Sequence, residues 1–167
     1  SQLAFTRSVP ERDLLNLVKA LCEQLEDRGH EITLFKSLRS SPVALEAQLR
    51  RYAAATEESE DVRKIADQAL KVLEGLPDDT KLAAFTGLVD ERIDEGAPPK
   101  ICVFTNYRST LYYLAAEIEA RDIHLELITG EMRQDERYES LLSFESVGGI
   151  LFATWGAMKG LELKETE

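Results

Sequence analysis

Between residues 11 and 28 the apolar positions Leu14, Val18, Leu21 and Leu25 recur at steps of four, three and four. That spacing stacks them on one face of a helix and turns Glu23, Glu26 and Asp27 to water. Gly29 is expected to end this helix. Ser41 before Pro42 marks a second start, since a proline at the first helical position lacks an N–H that would have no intrahelical partner anyway. Leu45, Leu49 and Tyr52 then form its buried stripe. The acidic run TEESED, residues 56–61, is solvated and can also open a third helix, whose apolar positions are Val62, Ile65, Ala69, Leu70, Val72 and Leu73. EGLPDDT closes this region. Leu82, Phe85, Leu88, Val89 and Ile93 mark a fourth helix, which DEGAPPK stops with glycine and proline.

From Lys100 the period changes. KICVFT is a short β-rich run, and Leu111, Leu114, Ala115 and Ile118 make residues 109–121 helical. IHLELIT follows as a second strand, RQDERYESLLSF as a helix and GGILFAT as a third strand. Short strands alternating with helices of about three turns predict right-handed βαβ crossovers and a parallel sheet buried on both faces. No internal repeat or low-complexity tract interrupts the order. The expected organisation is a helical segment over residues 1–78 and an α/β segment over residues 79–167.

Composition narrows the class. With 167 residues, 44% hydrophobic and 31% charged, the chain can bury one core, or one core with a helical appendage. Its longest apolar stretches, ICVF and GGILFATWGAM, are too short or too interrupted to span a bilayer, and SQLAFTRSVPER lacks the basic-then-apolar order of a signal peptide. The expectation is a soluble, cytoplasmic protein without a membrane partner. Cys22 on an apolar helical face and Cys102 inside an apolar strand read as small core residues with reduced thiols. Two histidines, His30 and His124, without CxxC or HxxxH spacing leave zinc few ligands. The net charge of −11 argues against a free-standing nucleic-acid binder. An acidic body with a few arginines at one edge remains compatible with one inside a larger molecule.

In an open parallel sheet, ligands bind beyond the carboxyl ends of the strands. Three stretches face that edge: TNYRST, TGEMRQDER and TWGAMKGLEL. Ser109 and Thr110 open a helix, so their N–H groups and the helix dipole offer a seat for a phosphate oxygen, with Arg108 beside it. Thr154 holds the corresponding strand end, and Gly156 and Gly160 let the backbone come close to a ligand. The same residues also admit a plain reading, in which the threonines cap helices and the glycines turn the chain.

Here the sequence resembles a known family. KICVFTNYRSTLYYLAAEIEARDI, LITGEMRQDERYESLLSF and GGILFATWGAMKGLEL, in that order, resemble the second RecA-like lobe of superfamily-two helicases. The likeness is greatest to the Swi/Snf-type translocases that include the bacterial RapA group, and it covers roughly residues 79–163. DDTKLAAFTGLVDE resembles the helix leading into that lobe, VFTNYRSTLYYLA its motif IV and ILFATWGAMKGLEL its motif V, while LFKSLRSSPVALEAQLRR is similar to the helical stretch between the two motor lobes. The resemblance implies a truncated P-loop-NTPase-like lobe preceded by a helical linker. It implies that Thr105, Asn106, Tyr107, Arg108, Ser109 and Thr154 lie near a nucleic-acid backbone, DNA rather than RNA. Gly156, Gly160, Leu161 and Arg137 would border the nucleotide cleft, and Gly130 with Arg137 would match the glycine and arginine between motifs IV and V. Arg137 reads equally as a structural ion-pair partner. Where the family usually carries an acidic residue after the motif V threonine, this chain has Trp155, either a base- or ribose-stacking group or a packing anchor.

The resemblance further implies ATP and magnesium in the full-length protein, with a first lobe in cis. This chain has no GxxxxGK[ST] loop and no DExx-type acidic pair after a strand, so as a fragment cut inside the lobe it is expected to be inactive alone. Strands lost beyond it would leave a sheet edge open to self-association. A second reading is a degenerate motor lobe that binds a protein partner through the acidic helical region 11–78. A flavodoxin-like or Rossmann-like enzyme fits less well, because FTNYRST lacks the glycines of a dinucleotide-binding first turn.

Overall fold

The computed structural model describes residues 6–25, 27–94, 100–119 and 121–159. The chain divides into two compact units, Ser1–Ala84 and Phe85–Glu167.

The first unit is helical: α1 (Val9–Gln24), α2 (Arg28–Ser40), α3 (Pro42–Ala54), α4 (Glu60–Glu74) and the start of α5 (Thr80–Asp94). Ser8 caps α1 in a reciprocal box. Its hydroxyl accepts from the Glu11 N–H at 3.4 Å, and the Glu11 carboxylate accepts from the Ser8 N–H at 2.6 Å. Ser41 caps α3 through Ala44, with Pro42 in the first turn as the sequence predicts. Ser59 caps α4. Val18, Leu21, Leu34, Leu45, Leu49, Tyr52, Val62 and Ala66 fill one core, while Ile65 and Val72 sit at its margin. The region between α1 and α3 departs from the sequence reading. The first helix ends at Gln24, and Gly29 is not its terminator but a first-turn residue of α2, its N–H held by Asp27 Oδ1 at 2.7 Å. A carboxylate two residues upstream makes this glycine a helix start. α2 escapes the periodicity because it buries only Leu34 and Ser37, while Ile32 lies exposed.

The second unit continues α5 and adds β1 (Lys100–Thr105), α6 (Arg108–Glu119), β2 (Leu125–Ile128), α7 (Gln134–Val147) and β3 (Gly149–Thr154). The three strands are parallel in the order β1-β3-β2. The chain thus steps over one strand position and then returns into it. Right-handed crossovers in opposite directions put their helices on opposite faces. Leu111, Ala115 and Ile118 of α6 accordingly pack with Ile150 and Phe152, joined by Val89 and Phe85 of α5. Leu141 and Phe144 of α7 pack with Leu151, Ala153 and Ile128.

Only β3 is buried throughout; β1 and β2 flank it and are partly open. Cys102 is therefore exposed, contrary to its sequence assignment to the core, because α7 covers β2 and β3 while β1 stands at the margin. Ile93 near the end of α5 is likewise exposed. A double glycine joins α7 to β3. Gly148 (φ 82°) ends the helix, its N–H donating to Phe144 O at 2.9 Å. Gly149 (φ 99°) lies so near β2 that a Cβ there would stand 2.0 Å from His124 O, the acceptor of the Ile150 N–H.

Candidate functional site

The register pairs Thr105 with Thr154, so the ends of β1 and β3 lie side by side. Ile128 pairs with Ala153, which brings Thr129 to the same level beyond β2. Three buried threonines thus line the carboxyl edge, at 7%, 9% and 4% exposure for Thr105, Thr154 and Thr129. The sequence reading named the first two. Thr129 opens the edge-facing stretch TGEMRQDER, and the strand order sets it next to β3 rather than next to β1.

Around Thr105 the turn is held locally. Tyr107 N–H donates to the Thr105 hydroxyl at 3.1 Å, and Leu111 N–H donates to Tyr107 O at 3.1 Å, closing the first turn of α6. The positive end of the α6 dipole therefore sits at Arg108, Ser109 and Thr110, beside the sheet edge. Asn106 is exposed on the bend, Ser109 is half-buried and Thr110 is buried. Burial pushes the Tyr107 phenol up, keeping it neutral. Arg108 is exposed and forms an ion pair with Glu131, in the turn after β2. Glu131 was not singled out in the sequence, although it lies in the edge-facing stretch TGEMRQDER.

Beyond β3, Trp155 N–H donates to Thr105 O at 3.2 Å and Ala157 N–H to Thr154 O at 2.9 Å, so the chain turns immediately. Arg137 of α7 donates through Nη1 to Ala157 O at 2.8 Å. Its Nε is buried without a partner among the described residues, and the ion pair suggested as one reading of Arg137 is not among its contacts there. Arg137 holds the turn after Thr154 through a carbonyl. Gly130 and Gly156 are exposed, and a Cβ at either would meet nothing within 4 Å. Gly160 and Leu161 lie outside the described residues. Trp155 is exposed, with its ring stacked on Phe104.

His124 Nε2 lies 3.1 Å from Ser143 Oγ and 3.2 Å from Glu126 Oε1. Both contacts fall on one ring nitrogen, so they do not build the two-sided relay of nucleophilic catalysis. Among the described residues no group of three or more His, Cys, Asp or Glu side chains is placed to hold a metal ion, and no helix is long and apolar enough to cross a membrane.

No protein-family model matches this chain. No curated protein matches it either. Solved structures that share its fold include two helicase-type domains. The Hef helicase domain of Pyrococcus furiosus superposes with a TM-score of 0.68 at 19% identity, over 100% of this chain and 49% of that one. The C-terminal part of the Fun30 ATPase domain superposes with a TM-score of 0.53 at 14% identity, over 95% of this chain and 70% of that one. The chain spans about half the length of the Hef helicase domain it matches. Its fold class is α/β with a parallel three-stranded sheet, the RecA-like fold it shares with these helicase and ATPase domains.

Proposed function

We propose that this chain belongs to an ATP-dependent nucleic-acid translocase or helicase of superfamily two, Swi/Snf-type and RapA-like, acting on DNA in the cytoplasm. Residues 79–167 contribute most of the second motor lobe and residues 1–78 a helical linker. The observation that carries the reading is the pairing of Thr105 with Thr154 at the carboxyl edge, beside the N-terminus of α6, on a fold shared with helicase-type domains. Thr105, Asn106, Tyr107, Arg108, Ser109 and Thr154 track the phosphate backbone through hydroxyls, the helix dipole and one guanidinium. Gly156, Gly160 and Leu161 border the nucleotide cleft, and Arg137 shapes it by holding the turn at Ala157.

The sequence has no GxxxxGK[ST] loop. In this reading ATP and magnesium are held by a first lobe in cis, and the residues of this chain bind and position the nucleic acid. Self-association through the outer edge of β1 or β2 is part of the same proposal and is read by light scattering during size exclusion.

The test is nucleic-acid-stimulated ATP hydrolysis by the full-length protein, against Arg108→Ala and Thr154→Ala. Stimulation should fall in both variants; unchanged stimulation in both rejects the assigned roles. The second reading, a protein-interaction module, draws on the net charge of −11 and the exposed Trp155. It gains if the full-length protein shows no stimulation by duplex or single strands.

A further inference from the structure

We propose that Trp155 is a stacking platform for a nucleobase bound at the carboxyl edge of the sheet, an inference that rests on the nucleic-acid reading above. Trp155 is the single tryptophan of the chain. The residue is 57% exposed, although a large aromatic surface strongly favours burial. A packing anchor would be covered. This ring is instead presented: it stacks on Phe104 with centroids 4.7 Å apart and planes 26° apart. Phe104 in turn packs against the core that contains Ile128, Leu151 and Ala153.

The backbone beneath the ring is also pinned. Trp155 N–H is bonded to Thr105 O, the following turn closes from Ala157 N–H to Thr154 O, and Arg137 grips Ala157 O. The indole thus has Phe104 stacked against it, while the residue as a whole stays largely exposed at the sheet edge that carries Thr105 and Thr154. The exposed Tyr112 and Tyr138 have no ring beneath them among the described residues. Trp155 is therefore distinguished by its support as well as its exposure. Every base offers a π-face, so a platform of this kind accepts any sequence and adds affinity to phosphate contacts that an acidic chain makes weakly.

A base can arrive on a polynucleotide strand or on a free nucleotide, and the experiment separates the two. The 167-residue chain is titrated at low salt with dye-labelled oligothymidylate, with an abasic phosphodiester of equal length, and with ATP. Binding is read by dye anisotropy and stacking by quenching of Trp155 emission. The base-bearing strand should quench Trp155 and bind roughly ten-fold tighter than the abasic strand. Trp155→Ala should erase that difference and Trp155→Phe should restore most of it.

Quenching by ATP and not by the strand also supports the platform and assigns the base to the nucleotide. Equal binding of both strands, without quenching and unaltered in Trp155→Ala, overturns the platform while the nucleic-acid reading stands. No anisotropy change and no quenching with any ligand overturns the platform, while the nucleic-acid reading is decided separately by stimulated ATP hydrolysis in the full-length protein.

Discussion

Replacing Gly149 by alanine tests the junction on which the β2–β3 pairing depends. The backbone there has φ 99°, a region costing a non-glycine residue about 1–3 kcal/mol. The added Cβ would also stand 2.0 Å from His124 O and 2.8 Å from His124 C, both backbone atoms that cannot swing aside. Relief requires β2 to move away from β3, which breaks the bond from Ile150 N–H to His124 O, worth about 1 kcal/mol net. The expected loss is about 2–4 kcal/mol, a large share of the roughly 5–15 kcal/mol that holds a typical domain folded. Urea unfolding followed by far-ultraviolet circular dichroism and by Trp155 emission should show a midpoint lowered by roughly 1–3 M. Gly156→Ala is the matched control: a Cβ there meets nothing within 4 Å, so its midpoint should move by no more than about 0.5 kcal/mol equivalent. A Gly149→Ala midpoint equal to the wild-type value would refute the argument from φ and close approach.

Other outcomes follow from single contacts. The Arg108–Glu131 pair is exposed on both sides, so Glu131→Gln should leave stability within about 1 kcal/mol while raising nucleic-acid affinity by freeing the guanidinium; weaker binding would count against Arg108 as a phosphate contact. Burial works to raise the Glu11 carboxyl, but the N–H groups of Ser8 and Thr80 and the Thr80 hydroxyl outweigh it and hold it below the ordinary range. A depressed carboxylate stabilises the fold above its unfolded value of about 4.3 and loses that contribution as pH falls through the lower folded value. Glu11→Gln should therefore cost about 1 kcal/mol at neutral pH and flatten part of the acid dependence seen in urea midpoints. Burial pushes the Cys22 thiol up to about 11 and also raises that of Cys102, which is nonetheless exposed. A thiol reagent at mildly alkaline pH should modify Cys102 in the folded chain and reach Cys22 only in denaturant; fast modification of both would contradict the packing of α1.

Much of the architecture is visible in local pattern. Leu14, Val18 and Leu21 recur at the helical period, Ser41-Pro42 starts a helix, and KICVFT and GGILFAT are apolar runs of strand length, all governed by interactions between near neighbours in sequence. α2 was hidden because a helix that buries only Leu34 and Ser37 writes almost no period. Gly29 misled because glycine serves helix starts as well as stops, and Asp27 decided which.

At the site, local pattern supplied residue types and the fold supplied neighbours. Hydroxyl and basic groups after each strand could be read directly. Strand order is a long-range matter, and it set Thr154 between Thr105 and Thr129 in the row that the parallel strands make. The same order left β1 at the margin and Cys102 in water, and it explains why Gly149, pressed against His124, admits no side chain. Trp155 was conspicuous in the sequence, but whether its ring was buried or presented depended on Phe104 lying beneath it, and only tertiary packing decides that.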